Sequence, residues 1–458
     1  MLFKGVSCNI KNVPALDTGF IPLAKWNAAY LKGALKPLAI AVERNGGLIC
    51  VYDTFIHGTP EMAQADRFYT ERLVKFLLWA RGGWRVVIAG DESVGTYIRE
   101  TYASSGARQF DCEFMSHVYE KPFTVDTVSY ADCPEEVYSS KSIGRNLDGC
   151  RIGFDAGGSD RKVSAVIDGE TVFSEEVVWH PKTNSDPEYH FEGIVSAMKT
   201  AASKMPRVDA IGISSAGIYI DNHTMVASLF LKVAPEDFEK KIKDIYIRAT
   251  REIGDVPVEV VNDGDVTALA GAMSIGDNRV LGIAMGTSEA GGYVDCDGNI
   301  TGWLNELAFA PVDAQECAME DEWSGDIGCG VKYFSQDGVI KLAAAAGMKL
   351  DGSLSPGEKL KIVQSQLKEG DRTAERVFES IGCYLGHTIP LYARFYDVRH
   401  ILLLGRVMSG KGGDIILSTA KRVLAEEYPD LSVNLALPDD NFRRVGQSMA
   451  AASLPAVR

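Results

Sequence analysis

Two stretches far apart in this chain carry the same order of signals: a strand, a glycine-rich turn and a second strand. The first runs from Cys150 to Ile167 (CRIGFDAGGSDRKVSAVI) and the second from Arg279 to Val294 (RVLGIAMGTSEAGGYV). An Asp-Gly turn follows each copy, and helices and further short strands come after it. A repeated supersecondary unit of this kind predicts two related α/β lobes. With 458 residues, the chain is long enough for both lobes and a further domain.

The turn of the first copy carries groups that suit a phosphate. Gly157 and Gly158 allow backbone N–H groups to approach an oxyanion without interference from a Cβ atom. Ser159 adds a hydroxyl, Lys162 a counter-charge, and Asp155 a carboxylate able to hold hydrated Mg²⁺ against the same phosphates. The same residues also suit an ordinary β-turn, and this stretch alone leaves both interpretations open.

The turn of the second copy repeats the pattern, because Gly286 is followed by the hydroxyls of Thr287 and Ser288. Taken alone, this is another hairpin turn, but its occurrence together with the first turn favours a shared role. Two such turns from related lobes would hold one polyphosphate from both sides. We therefore expect the ligand to bind in the cleft between the two lobes.

A carboxylate suited to catalysis lies in the segment VVNDGDVTALAG, where Asp263 stands at the junction of a strand and a helix. A general base must lie within hydrogen-bonding reach of the hydroxyl that it deprotonates. Asn262 beside it is able to bond neighbouring hydroxyls, although either residue also suits the N-cap of the helix. Asp265 is the second candidate for the base. Glu306, in the apolar run WLNELAF, either is paired internally or faces a polyol.

A further glycine-containing stretch, LLLGRVMSGKGG, consists of a strand followed by small residues. Such a backbone suits the flat face of a purine, which would then lie near Gly405 and Arg406. A strand-to-helix turn is the simpler interpretation of this stretch alone.

The composition argues against several classes of function. The net charge is −15, and neither the first 149 residues nor the rest forms a basic segment, which disfavours general nucleic-acid binding. No apolar run approaches the roughly 20 residues of a membrane span, and the N-terminus lacks the pattern of a signal peptide. The nine cysteines are scattered and form no CxxC pair, which favours reduced thiols. We expect a cytoplasmic protein without nucleic-acid or membrane partners.

The first 149 residues resemble no family and predict a separate α/β segment. The run PLAIAVERNGGLICVYDTFI predicts a hairpin around Asn45, Gly46 and Gly47. The run ADRFYTERLVKFLLWARGG has apolar residues at helical spacing and predicts a helix that ends at its glycines. The polar residues 129–149 predict a linker to the repeated lobes.

In this order, the motifs resemble the ROK family (repressors, open reading frames and sugar kinases) of the actin-like ATPase superfamily. The resemblance covers about residues 150–455. DAGGS is similar to the first phosphate motif, Asp-x-Gly-Gly-Thr, with Ser159 in place of threonine. ISSAGIYID resembles Gly-x-Pro-Gly-x-Val-Asp with Ala216 in place of proline, and VVNDGDVTALAG matches Asn-Asp-x-x-x-x-Ala. MGTSEAGG is similar to the second phosphate motif, Gly-Thr-Gly-x-Gly-Gly, and FYDVRHILLLGRVMS to the adenosine stretch, with Arg406 where a glycine is usual.

The resemblance implies an α/β fold with two ribonuclease H-like (actin-like ATPase) lobes around a cleft, and the patterns of the first 149 residues predict an extra α/β domain before these lobes. The implied domains are residues 1–149 with the linker, an N-terminal lobe at 150–274 and a C-terminal lobe at 275–458. The C-terminal helix would be able to return to the first lobe.

The implied activity is ATP-dependent transfer of a phosphoryl group to a hydroxyl of a sugar or sugar derivative, with Asp263 as the general base and Mg²⁺ near Asp155. Family kinases are often dimers, so we expect a homodimer. A non-catalytic sugar-binding sensor on the same scaffold is the alternative. The implied phosphate and nucleotide residues are Asp155, Gly157, Gly158, Ser159, Lys162, Gly286, Thr287, Ser288, Gly405 and Arg406. The implied sugar contacts are Ser215, Gly217, Asn262, Asp263 and Glu306.

One part of the chain departs from the family pattern. Family kinases commonly carry Glu-x-Gly-His, whose histidine helps to bind zinc, but here Ala308 and Phe309 follow Glu306 in place of glycine and histidine. The family's cysteine cluster is reduced to Cys329 in the run SGDIGCG. A tetrahedral zinc site needs four ligands. We therefore expect no structural zinc and a substrate loop that is built differently.

Overall fold

The computed structural model describes residues 1–138 and 143–457. The chain divides into two compact units. Unit 1 consists of Met1–Ser139, Ile283–Gly291 and Trp303–Leu437, and unit 2 of Ser140–Gly282, Gly292–Gly302 and Pro438–Arg458. The domain boundaries predicted after residues 149 and 274 state which segments fold separately, and they stay predictions. Of the predicted linker at 129–149, residues 139–142 lie outside the described residues.

The N-terminal part of unit 1 combines a four-stranded sheet with helices. Its elements are β1 (Leu2–Phe3), β2 (Val6–Ser7), α1 (Leu23–Tyr30), β3 (Lys36–Glu43), β4 (Ile49–Ile56), α2 (Ala63–Arg81), β5 (Arg85–Ala89), α3 (Glu92–Thr101), α4 (Gln109–Tyr119) and β6 (Thr124–Val128). The strand order in the sheet is β4-β3-β5-β6; β3 is antiparallel to β4 and β5, and β5 is parallel to β6. The predicted hairpin is confirmed, because β3 and β4 are joined through Gly46 and Gly47, which both have positive φ. The predicted helix is also confirmed as α2, and it ends where Gly82 adopts a φ of +79°.

Unit 2 is built on a five-stranded mixed sheet. The elements are β7 (Cys150–Ala156), β8 (Asp160–Ile167), β9 (Glu170–Val178), α5 (Pro187–Ala202), β10 (Ala210–Ser215), β11 (Ile218–Ile220), β12 (His223–Val226), α6 (Pro235–Asp237), α7 (Ile245–Arg251), β13 (Val258–Asn262) and α8 (Asp263–Ile275). The strand order is β13-β10-β7-β8-β9. Strand β7 is antiparallel to β8 and parallel to β10, which is parallel to β13. Apolar residues of the central strands, among them Ile152, Phe154, Ile211 and Ile213, are fully buried in its core.

The rest of the chain adds a second four-stranded sheet and further helices. The elements are β14 (Val280–Met285), β15 (Glu289–Val294), α9 (Gln336–Ala345), α10 (Pro356–Lys368), α11 (Arg372–Tyr392), β16 (His400–Leu404), α12 (Lys411–Glu427), β17 (Asn434–Ala436) and α13 (Asp440–Ala452). The strand order is β15-β14-β16-β17, and β16 and β17 are parallel. The predicted α/β fold class is thus confirmed, with sheets and helices alternating along both repeated segments. Within the described ranges, we find no helix that is both long and apolar enough to span a membrane.

Helix α13 packs directly on the sheet of unit 2, across β7 and β10. Gly153 of β7 and Gly212 of β10 are paired in register. A Cβ atom added to either glycine would collide with the backbone of α13, at Ser448 for Gly153 and at Ala451 for Gly212. The two glycines therefore allow the helix backbone to touch the sheet.

This close approach predicts a strong effect of a larger side chain at the centre of β10. We expect Gly212→Val to lower the free energy of unfolding by about 3 kcal/mol, because overfilling a packed core costs roughly 1–3 kcal/mol and here the obstacle is backbone. Urea unfolding measures the change. Gly276→Ala is the control for the loss of a glycine in this unit, since a Cβ there meets no atom within 4 Å; its positive φ of +72° leaves only a backbone penalty. Equal stability of Gly212→Val and the wild type would contradict the packing.

Unit 1 also contains a cluster of charged side chains, six of which are buried or nearly buried and contact one another. Arg72 and Lys75 of α2 both contact Asp326, with Arg72 Nη1 2.9 Å and Lys75 Nζ 3.0 Å from Asp326 Oδ2. Arg108 Nη2 lies 2.8 Å from Asp326 Oδ1. The set has three positive and three negative charges, which balance. These paired charges join the N-terminal segment to the segment before Cys329. We call this set the buried charge cluster: Glu71, Arg72, Lys75, Arg108, Asp111 and Asp326.

Candidate functional site

Strands β7, β10 and β13 are neighbours and parallel, so their carboxyl ends meet at one edge of the sheet of unit 2. Asp155 lies near the end of β7 opposite Ser214 of β10, and Ser215 lies opposite Asn262, the last residue of β13. The Ser214 hydroxyl donates a hydrogen bond of 2.7 Å to Asp155 Oδ1. Asp263 follows at the first turn of α8. The structure therefore brings Asp155, Ser215, Asn262 and Asp263 together.

The two acids of this edge affect each other. Asp155 is 8% exposed. Burial raises the pKa of Asp155 to about 6; the bond from Ser214 opposes this rise, and the negative charge of Asp263 adds to it. Burial also raises the pKa of Asp263, against the opposing effects of backbone N–H groups and of Lys182. A carboxylate with a raised pKa is a better proton acceptor than an exposed one, which suits the predicted base.

Asn262 is the N-cap of α8, which is the alternative role that the sequence allowed for this residue. Its Oδ1 accepts from the N–H of Gly264 at 2.7 Å, and its Nδ2 donates to the carbonyl of Gly217 at 2.7 Å. One N–H of the amide remains for a ligand. Asp265 is 3% exposed and accepts from the N–H of Tyr293 at 2.9 Å. Its place in the interior favours a structural role for Asp265 and leaves Asp263 as the better candidate base.

The predicted sugar contacts Ser215 and Gly217 lie at the end of β10 and just beyond it. Ser215 is fully buried, and its hydroxyl lies 2.7 Å from the Tyr246 hydroxyl and accepts from the Tyr219 hydroxyl at 2.6 Å. Gly217 has a φ of +147°, and a Cβ atom there would collide with the carbonyl of Val226. The Ser215 hydroxyl is therefore bonded to this tyrosine pair, and its direct contact with a sugar stays a prediction.

The glycine-rich turn between β7 and β8 is held from one side by Trp179, which is buried. The indole Nε1 of Trp179 donates to the carbonyl of Gly157 at 2.7 Å, and its backbone N–H donates to the carbonyl of Ser159 at 3.1 Å. A Cβ atom at Gly157 would lie 2.8 Å from the carbonyl oxygen of Asp160. The turn thus needs glycine and has a fixed support.

Two lysines lie near this turn. Lys162, across the ladder from Asp155, lowers the pKa of that carboxyl through its charge, but it also pairs with Glu176 at 3.4 Å. Lys182 lies across Gly158, where an added Cβ atom would be 2.8 Å from its Cε and 3.1 Å from its Nζ. Sequence reasoning did not single out Lys182, because the run Trp179–Pro181 reads as a loop. The signal available in the sequence was the tryptophan that comes two residues before the Pro-Lys pair.

In unit 1, the turn that contains Gly286, Thr287 and Ser288 joins β14 to β15. The N–H of Gly286 donates to the carbonyl of Ser288 at 2.9 Å, and both hydroxyl residues are exposed. Gly405, with a φ of +94°, follows β16 and approaches Met285 so closely that a Cβ atom would collide with its backbone. Arg406 beside it is exposed. The structure therefore brings the second predicted phosphate turn and the predicted adenosine residues to one edge of unit 1.

Glu306 lies in unit 1 and is half-buried, and its N–H donates to the carbonyl of Trp79 at 2.9 Å. Phe309, at the position of the family's histidine, stacks on Trp79 with ring centroids 4.2 Å apart. The Cys329 thiol is buried, 3.7 Å from Asp326 Oδ2 of the buried charge cluster. Across residues 1–138 and 143–457, no group of three or more His, Cys, Asp or Glu side chains is arranged to hold a metal ion.

Glu289, in the second glycine-rich stretch, is an acid that sequence reasoning missed. Its side chain is 1% exposed, its Oε1 accepts from the Tyr392 hydroxyl at 3.0 Å, and its Oε2 has no hydrogen-bond partner in the described part of the chain. Burial raises the pKa of Glu289 to about 8, and the bond from Tyr392 opposes the rise. Glu289 is therefore protonated over most of the neutral range.

Glu289 should make the stability depend on pH. A carboxyl whose pKa is about 8 when folded and 4.5 when unfolded stabilises the fold below 4.5 and loses this contribution as pH rises through 8. We expect the free energy of unfolding of the wild type to fall by about 3–4 kcal/mol relative to Glu289→Gln between pH 5 and pH 9. Denaturant unfolding of both proteins across this range measures the difference. Parallel pH curves would show that Glu289 is ionised in the fold.

A family profile and several solved structures are similar to this chain. A profile of the ROK family matches residues 151–436. No curated protein gives a significant sequence match. Among solved structures, the chain is similar to a ROK hexokinase from Thermus thermophilus at 19% identity, with 66% of this chain and 96% of that one covered and a TM-score of 0.50. A glucokinase from Streptomyces griseus in complex with glucose and AMPPNP aligns at 19% identity over 67% of this chain and 98% of its own, with a TM-score of 0.45.

A third similar structure is a ROK family transcriptional regulator, a homolog of the Escherichia coli MLC protein, at 18% identity over 67% of this chain and 79% of its own, with a TM-score of 0.48. At these identities the hexokinase likeness shows a common fold. The profile covers more than half of the chain, including the two glycine-rich turns and the edge that carries Asp155 and Asp263. The predicted resemblance is thus confirmed: the chain belongs to the ROK family.

Proposed function

We propose that this protein is a kinase that transfers the γ-phosphoryl group of ATP to a hydroxyl of a sugar or sugar derivative, with Asp263 as the general base. The observation that carries the proposal is the shared edge of the unit 2 sheet. There, Asp155 near the end of β7 and Asp263 just after β13, on either side of β10, lie at the edge that carries the glycine turn and interact through their charges. Phosphoryl transfer needs such a base and such a phosphate cradle.

In the reaction, Asp263 accepts the proton of the sugar hydroxyl as that oxygen forms a bond to the γ-phosphorus. The bond between this phosphorus and the β–γ bridging oxygen breaks, and ADP leaves with the electron pair. The backbone N–H groups of the turn at Gly157 and Gly158 would bind the negative phosphate oxygens.

Asp155 is the residue that would hold Mg²⁺ through water. Its Oδ1 is engaged by Ser214. Mg²⁺ in kinases is commonly bound by one or two carboxylates together with substrate phosphates, so a single carboxylate fits this role. The ion would neutralise charge on the phosphate oxygens of the nucleotide.

The test is ADP release from ATP and Mg²⁺ in the presence of a panel of hexoses and amino sugars. We expect release that depends on one sugar class and stops without Mg²⁺. A protein that binds a sugar saturably but releases no ADP with any member of the panel would contradict the kinase.

That last outcome would support the alternative, a non-catalytic sugar-binding sensor. Two observations favour it: Phe309 is committed to the stack on Trp79, and the amide of Asn262 is largely used by the helix cap. Both reduce the side chains that are free to orient a sugar. The raised pKa of Asp263 favours the kinase, because a sensor has no use for a base.

A further inference from the structure

We propose that Lys182 is a catalytic residue whose ammonium group binds the terminal phosphoryl group of the nucleotide during its transfer. The inference deepens the proposed function and rests on it. It assigns a positive charge to the phosphate site at the glycine turn. The residue that carries this charge lies outside the glycine motifs.

The position of Lys182 carries the inference. Its side chain lies directly over Gly158, with Cε 2.8 Å and Nζ 3.1 Å from the place of a Cβ atom on that residue. The same ammonium group attracts the carboxylate of Asp263. Lys182 therefore lies beside the turn that would bind the phosphates and is close enough to the acid that would accept the proton to lower its pKa.

The backbone of Lys182 is held in this place. Pro181 is buried and begins a short 3₁₀ helix, Pro181–Thr183, that contains the lysine. Two residues before the proline, Trp179 is bonded to the carbonyls of Gly157 and Ser159. The turn and the backbone of the lysine are thus parts of one supported loop pair, so the distance between these two backbone segments is set by the fold.

Lys182 also has no hydrogen-bonded partner among the residues that the structure describes. It is exposed, and in the described part of the chain it forms no salt bridge. Lys162 is engaged by Glu176 at 3.4 Å, and the guanidinium of Arg161 lies 5.6 Å from the Trp179 ring centroid. An ammonium group without a carboxylate partner beside backbone N–H donors is suited to an anion that arrives with the substrate.

The role follows from the charge of the reaction. In the transition state, the negative charge on the phosphoryl oxygens changes and Asp263 takes up a proton. A cation next to the phosphoryl group and to Asp263 lowers the energy of the transferring group in the transition state. It also keeps Asp263 ionised before the transfer. Besides Lys182, the titratable groups that face Asp263 are Asp155 on β7, Tyr219 on β11 and Tyr246 on α7.

The experiment compares the full-length wild type with Lys182→Met, Lys182→Arg and a matched control, Lys199→Met. Lys199 is an exposed lysine of the same unit, paired only with the exposed Glu252 at 3.6 Å. Each protein is assayed for sugar-dependent ADP release and, by calorimetry, for binding of ATP and of ADP.

We expect Lys182→Met to lower kcat by about 10²–10³-fold. ATP binding should weaken by about tenfold and ADP binding should hardly change, because only ATP carries the terminal group. The acid limb of the pH profile of kcat/KM should move to higher pH, because Asp263 loses a charge that lowers its pKa. Lys182→Arg should recover part of the rate, and Lys199→Met should match the wild type.

An active wild type whose Lys182→Met variant has unchanged kcat and an unchanged ratio of ATP to ADP affinity would overturn the assignment of Lys182 and leave the kinase standing. A wild type that binds no ATP would overturn both proposals. A loss of rate with no shift of the acid limb and with equal weakening of ATP and ADP would also overturn the assignment, since a purely structural role produces that result.

Discussion

Replacing Asp326 by asparagine is expected to lower the free energy of unfolding by about 3–5 kcal/mol, the cost of breaking a buried ion pair from one side. Burial alone would raise the pKa of Asp326, but the charges of Arg72, Lys75 and Arg108 outweigh it and hold this pKa well below its usual range. Asparagine has nearly the same size, but it removes the charge and replaces one acceptor oxygen with an NH2 group that faces the cations. Three buried cations would then share the two remaining acids of the buried charge cluster.

The loss is measured by urea unfolding followed through tryptophan fluorescence. Trp79 is a suitable reporter, since its indole Nε1 donates to Asp111 of the same cluster at 2.5 Å. Glu316→Gln is the matched control: its carboxylate is 74% exposed and only 4.0 Å from Lys4, so the expected change is about 0–1 kcal/mol. Similar unfolding curves for both variants would mean that the cluster contributes little.

The second large effect concerns turnover. Asp263→Asn should reduce kcat by about 10²–10⁴-fold, the usual contribution of a general base, because an amide accepts no proton from the attacking hydroxyl. The affinity for ATP should stay close to that of the wild type, since the turn at Gly157 and Gly158 is untouched. Single-turnover assays of phosphoryl transfer and calorimetric binding of ATP measure the two quantities separately.

The variant Asp265→Asn distinguishes the role of a general base from a structural role. Asp265 accepts from the N–H of Tyr293 in the interior, so its variant should lose stability and keep its turnover per folded molecule. The reverse pattern, in which Asp265→Asn folds normally without turnover and Asp263→Asn remains active, would exchange the roles of the two acids.

The sequence was sufficient for those parts of the fold and site that depend on local chemistry. The Asn45-Gly46-Gly47 hairpin and the glycines after α2 follow from φ preferences, which act over a few residues. The edge with Asp155 and Asp263 could be expected because strands followed by polar residues end at the same side of a parallel sheet. The motif order identified the family, since each motif keeps its chemistry and place.

Other features could not be read from the chain because they depend on contacts between distant segments. Nothing in the run TERLVKFLLWA shows that Arg72 and Lys75 are buried, since their partner Asp326 is far away in sequence. Lys182 was missed for the same reason: its importance comes from lying over Gly158. Glu289 looks like an exposed turn residue until Tyr392 and Gly330 are placed around it.

The close contact between α13 and the glycines of β7 and β10 has a consequence for biosynthesis. Strands β7 and β10 leave the ribosome long before the helix that covers them, because residues 216–439 are translated in between. Until that helix arrives, one face of the nascent sheet stays open to water and to chaperones. Contacts so distant in sequence form slowly. The covering of this sheet face should therefore be among the last steps in the folding of unit 2.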